Sequence, residues 1–153
     1  MCSRNFQRRM MELAYEEALK AYKKNEIPVG AIIELNGEVI SKGHNLSISE
    51  PDPTAHAEII ALRKAAKKLQ NYRLNGASMY VTLEPCYMCA AAIVHSRIDN
   101  LVFAAIDEKT GAVVSQGSYF DQSHVNHKVS YSQGELIKES SDILRKFFED
   151  KRS

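Results

Sequence analysis

One hundred and fifty-three residues amount to one ordinary domain, residues 1–153, long enough to bury roughly two-thirds of the surface of the unfolded chain. Twenty Lys and Arg against nineteen Asp and Glu give a formal charge of +1, which argues against a basic arm or an acidic tail as the main means of binding. A local basic patch on a neutral molecule stays open. The longest apolar run, Cys86 to Val94, is nine residues, far short of the ~20 that a membrane span needs. No apolar stretch follows the basic N-terminal residues to make a signal peptide, so neither membrane insertion nor secretion is expected. Cys2, Cys86 and Cys89 cannot all pair within one chain, which points to a reducing compartment, the cytoplasm or an organelle like it, with Cys2 a free thiol.

Arg4 to Asn25 has Phe6, Met10, Leu13 and Ala14 at helical spacing, which predicts an amphipathic helix. Val29 to Leu35 reads as a strand, Asn36-Gly37 as a hairpin turn, and Val39 to Gly43 as the antiparallel return. Leu46 to Pro53 is a loop, and Thr54 is positioned to cap a helix from about Ala55 to Gln70. Asn75-Gly76 turns into the strand Ser78 to Leu83, and Pro85 opens a short helix from Cys86 to about Ser96. Leu101 to Ile106 is a continuous apolar strand of the kind buried on both faces. Asp107 to Asn126 is polar and long enough for a crossover to a parallel strand near Lys128 to Tyr131. A last helix runs from Glu135 to about Lys151. This order implies an α/β fold: a mixed sheet of about five strands with helices on both faces, a three-layer α/β/α sandwich.

The chemistry concentrates in His56-Ala57-Glu58 and Pro85-Cys86-Tyr87-Met88-Cys89. Cys86 and Cys89, three apart, share one face of a helical first turn, where free N–H groups favour thiolates. The two cysteines alone suit a redox pair as well as a metal pair. His56-x-Glu58 at the start of another helix turns the reading to metal: one imidazole and two thiolates suit zinc and leave a fourth position open, as catalytic sites do. A closed structural site needs a fourth Cys or His, and Cys2, His44, His95, His124 and His127 stand at no familiar zinc-finger spacing. Two thiolates neutralise Zn²⁺, so a nearby base must help to activate water, and Glu58 is placed for it by sequence. Positions i and i+2 of an ideal helix point some 200° apart, so convergence requires His56 to sit in an irregular first turn. Together, His-x-Glu and Pro-Cys-x-x-Cys form the signature of zinc nucleobase deaminases.

Asp52-Pro53-Thr54-Ala55-His56-Ala57-Glu58-Ile59, Asn71-Tyr72-Arg73-Leu74, and Tyr80 to Cys89 followed by His95-Ser96-Arg97-Ile98 closely resemble the bacterial tRNA adenosine deaminases of the cytidine/deoxycytidylate deaminase-like superfamily. The likeness continues through Lys109-Thr110-Gly111-Ala112, Asn126-His127 and Phe147-Phe148, nearly the whole chain. The resemblance implies a cytidine deaminase-like fold and hydrolytic deamination of adenosine to inosine at the wobble position of a tRNA anticodon loop. It implies one Zn²⁺ per subunit on His56, Cys86 and Cys89, with Glu58 as the proton shuttle. Asn45 matches the asparagine that contacts the target nucleoside, and Val29, Ala57 and Pro85 match positions lining the base pocket. Lys151 and Arg152 match a basic pair that meets phosphate, although a solvated helix end reads the same way. A homodimer is implied by resemblance alone. The chain departs from the family's pattern at Ala91, Val114-Ser115 and Gln116 to His124, none of them in the metal chemistry. The alternative is a zinc-dependent deaminase of a free base or nucleotide, of the guanine or cytosine type, since those enzymes share the metal signature.

Overall fold

The computed structural model describes residues 3–152; Met1, Cys2 and Ser153, and with them the expected free thiol of Cys2, lie outside the described residues. Helix α1 (Arg4–Lys23) starts at Ser3, whose hydroxyl accepts the Phe6 N–H at 3.1 Å, and buries Met10, Met11, Ala14, Ala18 and Ala21. Strands β1 (Gly30–Leu35) and β2 (Glu38–His44) form the expected hairpin. Asn36 and Gly37 turn it at φ of 53° and 86°, a backbone region that Asn and Gly enter most readily. Helix α2 (Ala57–Leu69), strand β3 (Ser78–Leu83), helix α3 (Tyr87–His95) and strand β4 (Asn100–Ala105) follow. A long connection with one 3₁₀ turn at Tyr119–Asp121 leads to β5 (Ser130–Gln133) and α4 (Ile137–Arg152).

The sheet order is β2-β1-β3-β4-β5, antiparallel through β2, β1 and β3 and parallel from β3 to β5. Strand residues alternate between two apolar faces. Ala31, Ile33, Met79, Val81, Leu101 and Phe103 pack with Ala57, Ala61, Ala90 and Ile93 of α2 and α3. Ile32, Tyr80, Val102 and Ala104 pack with Met10, Met11 and Ala14 of α1. Helix α4 joins α1 on that side, where the rings of Tyr22 and Phe147 meet edge to face and the Tyr22 hydroxyl donates to Asp150 at 2.7 Å. This is the mixed five-stranded, three-layer sandwich that the sequence predicts.

Several boundaries differ from expectation for identifiable reasons. Thr54 does not cap α2, because its hydroxyl and N–H both donate to Asp52; the helix begins at Ala57, with His56 in the N-cap position. Likewise α3 begins at Tyr87, with Cys86 as N-cap. Strand β5 lies two residues later than expected, a short edge strand with no fully buried residue to fix its register from sequence. Ile106 falls outside β4 and is half exposed.

Candidate active site

The N-termini of α2 and α3 meet beyond the carboxyl ends of β3 and β4, where open α/β sheets place their ligands. His56 has extended backbone, φ −74° and ψ 155°, so its side chain leaves the helical wheel and can converge with that of Glu58. Cys86 has the same N-cap role, at φ −76° and ψ 176°, while Cys89 sits inside α3. His56 Nδ1 lies 3.7 Å from Cys86 Sγ and 3.5 Å from Cys89 Sγ, and all three ligand atoms fall within 4.8 Å of one another.

Those distances fit zinc. Tetrahedral bonds of ~2.0 Å to nitrogen and ~2.3 Å to sulfur require N···S separations of about 3.5 Å. The donor set agrees. The hydrogen bond between the thiols draws Cys86 down to about 4, with His56 adding to the effect against burial. The same bond, with burial, holds the Cys89 thiol far above its ordinary range. Two thiols sharing a proton beside an imidazole form a set that a divalent cation completes by displacing that proton.

Glu58, in the first turn of α2, is 4% exposed. Burial pushes its carboxyl up to about 7, the Cys86 thiolate adding to the rise. A carboxylate in that range can both take and return a proton near neutral pH. Asn45, directly after β2, is also buried; its Oδ1 accepts the Ala57 N–H at 2.7 Å, and its own N–H donates to the Val29 carbonyl. The asparagine therefore supplies the helix cap expected of Thr54. Because its oxygen is committed, the amide NH₂ is the end left to serve the cavity.

A cavity of about 660 Å³ opens over these groups. Val29, Asn45, His56, Glu58 and Cys86 line it together with Ile106 to Thr110, Leu144, Phe148 and Arg152. Of the residues singled out from sequence, Ala57 and Pro85 are buried and do not line it. Ala57 instead contributes its N–H to Asn45, and Pro85 its carbonyl to Ala112. Arg152 reaches the cavity; Lys151 stands with its ammonium 5.5 Å over the Phe147 ring.

Glu84 also lines the cavity and escaped the sequence reading. It is 2% exposed and accepts the N–H groups of Asp107, Val113, Val114 and Ser115 and the Ser115 hydroxyl. Burial alone would raise its pKa, but these donors together lower it. The available signal was an acid closing an otherwise apolar strand, Tyr80-Val81-Thr82-Leu83-Glu84.

The sandwich and its His/Cys/Cys cluster define a zinc-dependent deaminase: residues 4–105 match the model of the cytidine and deoxycytidylate deaminase zinc-binding region. The chain is 52% identical to the tRNA-specific adenosine deaminase of Haemophilus influenzae, over 96% of this chain and 86% of that one. It is 45% identical to that of Aquifex aeolicus, over 94% of each. The chain belongs to the tRNA-specific adenosine deaminase family. A solved structure from work on A-to-I editing by tRNA:A34 deaminases at the wobble position of transfer RNA superposes with a TM-score of 0.86 at 44% identity, covering 88% of this chain and 98% of that one.

Proposed function

We propose that the protein, as one domain of residues 1–153, converts adenosine to inosine at the wobble position of a tRNA anticodon loop. The observation that carries this reading is a buried carboxylate, Glu58, beside a zinc-compatible His56/Cys86/Cys89 cluster at the floor of a nucleoside-sized cavity. Family membership selects adenosine in tRNA as the substrate.

His56, Cys86 and Cys89 would hold zinc, which would supply the Lewis acidity that makes water a nucleophile near neutral pH. Glu58 accepts the proton from the attacking water as the C6–O bond forms. It passes that proton to the ring nitrogen, then takes the proton of the new C6 hydroxyl and delivers it to the departing amino group, so that the C6–N bond breaks and ammonia leaves. The Asn45 NH₂ donates to the nucleoside, and Val29 packs against the flipped base in a site that must be snug. Ala57 and Pro85 support that pocket from behind, through Asn45 and the backbone of Ala112. Arg152 at the cavity and Lys151 beside it meet anticodon phosphates.

A homodimer and a cytoplasmic location complete the proposal. An apolar groove of about 350 Å³ between α2 and α3, with Ile59, Leu62, Ala66 and Ala92 in its wall, supports the first. In support of the second, no helix among the described residues is long and apolar enough to cross a membrane.

The test is incubation of the zinc-loaded protein with an anticodon stem-loop carrying adenosine at the wobble position, with free adenosine, cytosine and guanine in parallel. Inosine formed only in the stem-loop is the expected result. Turnover of a free base with none of the RNA would replace this reading with the small-molecule deaminase.

A further inference from the structure

Nine residues connect the end of the Ile106 wall to the interior of the long crossover, and one side chain holds both ends of that stretch. Glu84 Oε1 accepts the Asp107 N–H at 3.1 Å and the Ser115 hydroxyl. Glu84 Oε2 accepts three consecutive N–H groups, those of Val113, Val114 and Ser115, at 3.0, 2.8 and 3.0 Å. Successive N–H groups aimed at one point form an anion-binding nest, and here the chain's own carboxylate fills it. Asp107 organises the tip: its carboxylate accepts the N–H groups of Lys109 and Thr110 and the Thr110 hydroxyl, and its carbonyl accepts the Gly111 N–H. A Cβ on Gly111 would lie 2.3 Å from the Glu84 carboxyl carbon and 2.6 Å from the Asp107 carbonyl oxygen. The loop is thus closed down onto Glu84 as tightly as a glycine permits.

We infer that Glu84 is a positioning residue for RNA recognition: it fixes the loop 107–115 and thereby the cavity wall, Ile106 to Thr110, against which the anticodon loop is seated. This rests on the function proposed above. Two alternatives are weaker. A carboxylate offers about four lone-pair sites, and five donors already occupy those of Glu84, so it has no capacity left to serve as a second proton shuttle. Nor is it chiefly a brace for Cys86. Its side-chain partners all come from the loop, and its own N–H is bonded to Ala105 in β4.

The experiment compares zinc-loaded wild type, Glu84→Gln, Gly111→Ala and the double variant. It measures kcat and KM on the adenosine stem-loop, the Kd of the labelled stem-loop by fluorescence anisotropy, and zinc per chain. Glu84→Gln places an NH₂ against donors, and Gly111→Ala displaces the loop with the carboxylate intact. Each is expected to raise KM and Kd by about tenfold with kcat within roughly threefold and zinc unchanged. The double variant is expected to be little worse than the poorer single one, since both break the same contact. A fall in kcat with KM and Kd unmoved, or wild-type values throughout, overturns the inference. If Glu84→Gln does not fold, Gly111→Ala decides by the same two outcomes. Wild-type failure on the stem-loop removes the proposed function and this inference with it; wild-type turnover with unmoved variants removes the inference alone.

Discussion

The side-chain oxygen of Asn45 accepts the backbone N–H of Ala57 at 2.7 Å, so one asparagine both caps α2 and lines the cavity. These two duties separate by substitution. Asn45→Ala loses the cap and the amide and is expected to cost about 1 kcal/mol of stability together with activity. Asn45→Asp keeps an acceptor for Ala57 and is expected to unfold close to wild type while losing turnover. Guanidinium unfolding of the zinc-loaded variants, beside stem-loop kinetics, distinguishes the two effects.

Glu58 lies two residues beyond His56 and outside the His56/Cys86/Cys89 cluster, so its removal leaves those three donors in place. Glu58→Ala is expected to lower kcat by at least ~10²–10⁴-fold, the usual range for a positioned acid–base group. Zinc content by elemental analysis should stay at that of the wild type. Loss of zinc in step with activity would assign the carboxylate to the metal instead.

Replacing His56, Cys86 or Cys89 by alanine is expected to remove zinc and turnover together. Dialysis of the wild type against a chelator should do the same reversibly. It should also lower the unfolding midpoint, because a ligand at 100 times its Kd stabilises the folded state by about 2.7 kcal/mol. An unchanged midpoint after complete zinc removal would contradict that coupling.

Away from the cavity, the Glu17 carboxylate pairs with His44 Nδ1 at 2.9 Å and with Lys20 at 2.7 Å. The hydrogen bond to His44, against burial and with help from Lys20, holds its pKa at about 2 instead of 4.5. A depressed carboxylate pKa contributes stability in full above the unfolded value, and that contribution is lost as pH falls from about 4.5 toward 2. The contribution is roughly 3 kcal/mol at neutral pH. The stability difference between wild type and Glu17→Gln should therefore be largest at pH 6 and shrink by pH 3, measured as unfolding midpoints. A difference that is constant with pH would show that the pair does not titrate in this way.

Gly30 in β1 faces α1 so closely that a Cβ would lie 2.0 Å from the Ala14 carbonyl oxygen and 2.5 Å from the Ala18 nitrogen. Backbone atoms of a packed helix cannot step aside, so Gly30→Ala is expected to cost about 3 kcal/mol or more. Gly37→Ala, where no atom lies within 4 Å but φ is 86°, isolates the cost of backbone strain alone. Comparing the two by unfolding separates crowding from conformation.

The architecture was legible wherever apolar periodicity was strong: all five strands and four helices stand where their patterns put them, to within a few residues. The errors have a common source in contacts distant along the chain. Helix α2 starts late because its capping oxygen comes from Asn45, twelve residues upstream. Strand β5 shifts because no residue in it is fully buried. His56, Glu58, Cys86 and Cys89 were readable because side-chain chemistry and spacing declare themselves. The wall from Ile106 to Thr110 was not, because its order comes from backbone N–H groups bonded to Glu84 and Asp107, and backbone groups leave no mark in a sequence.

The cavity is lined by stretches of chain with different obligations. Everything proposed to bind metal or move protons comes from residues 56–89, whereas 106–110 and the last helix contribute lining alone. Substitutions at 106–110 and in the last helix leave the His56/Cys86/Cys89 cluster and the buried acid in place. One chemical engine can thus be retained while its customer changes, and the joint between the halves, where Glu84 meets the loop, is the place at which such drift must stop.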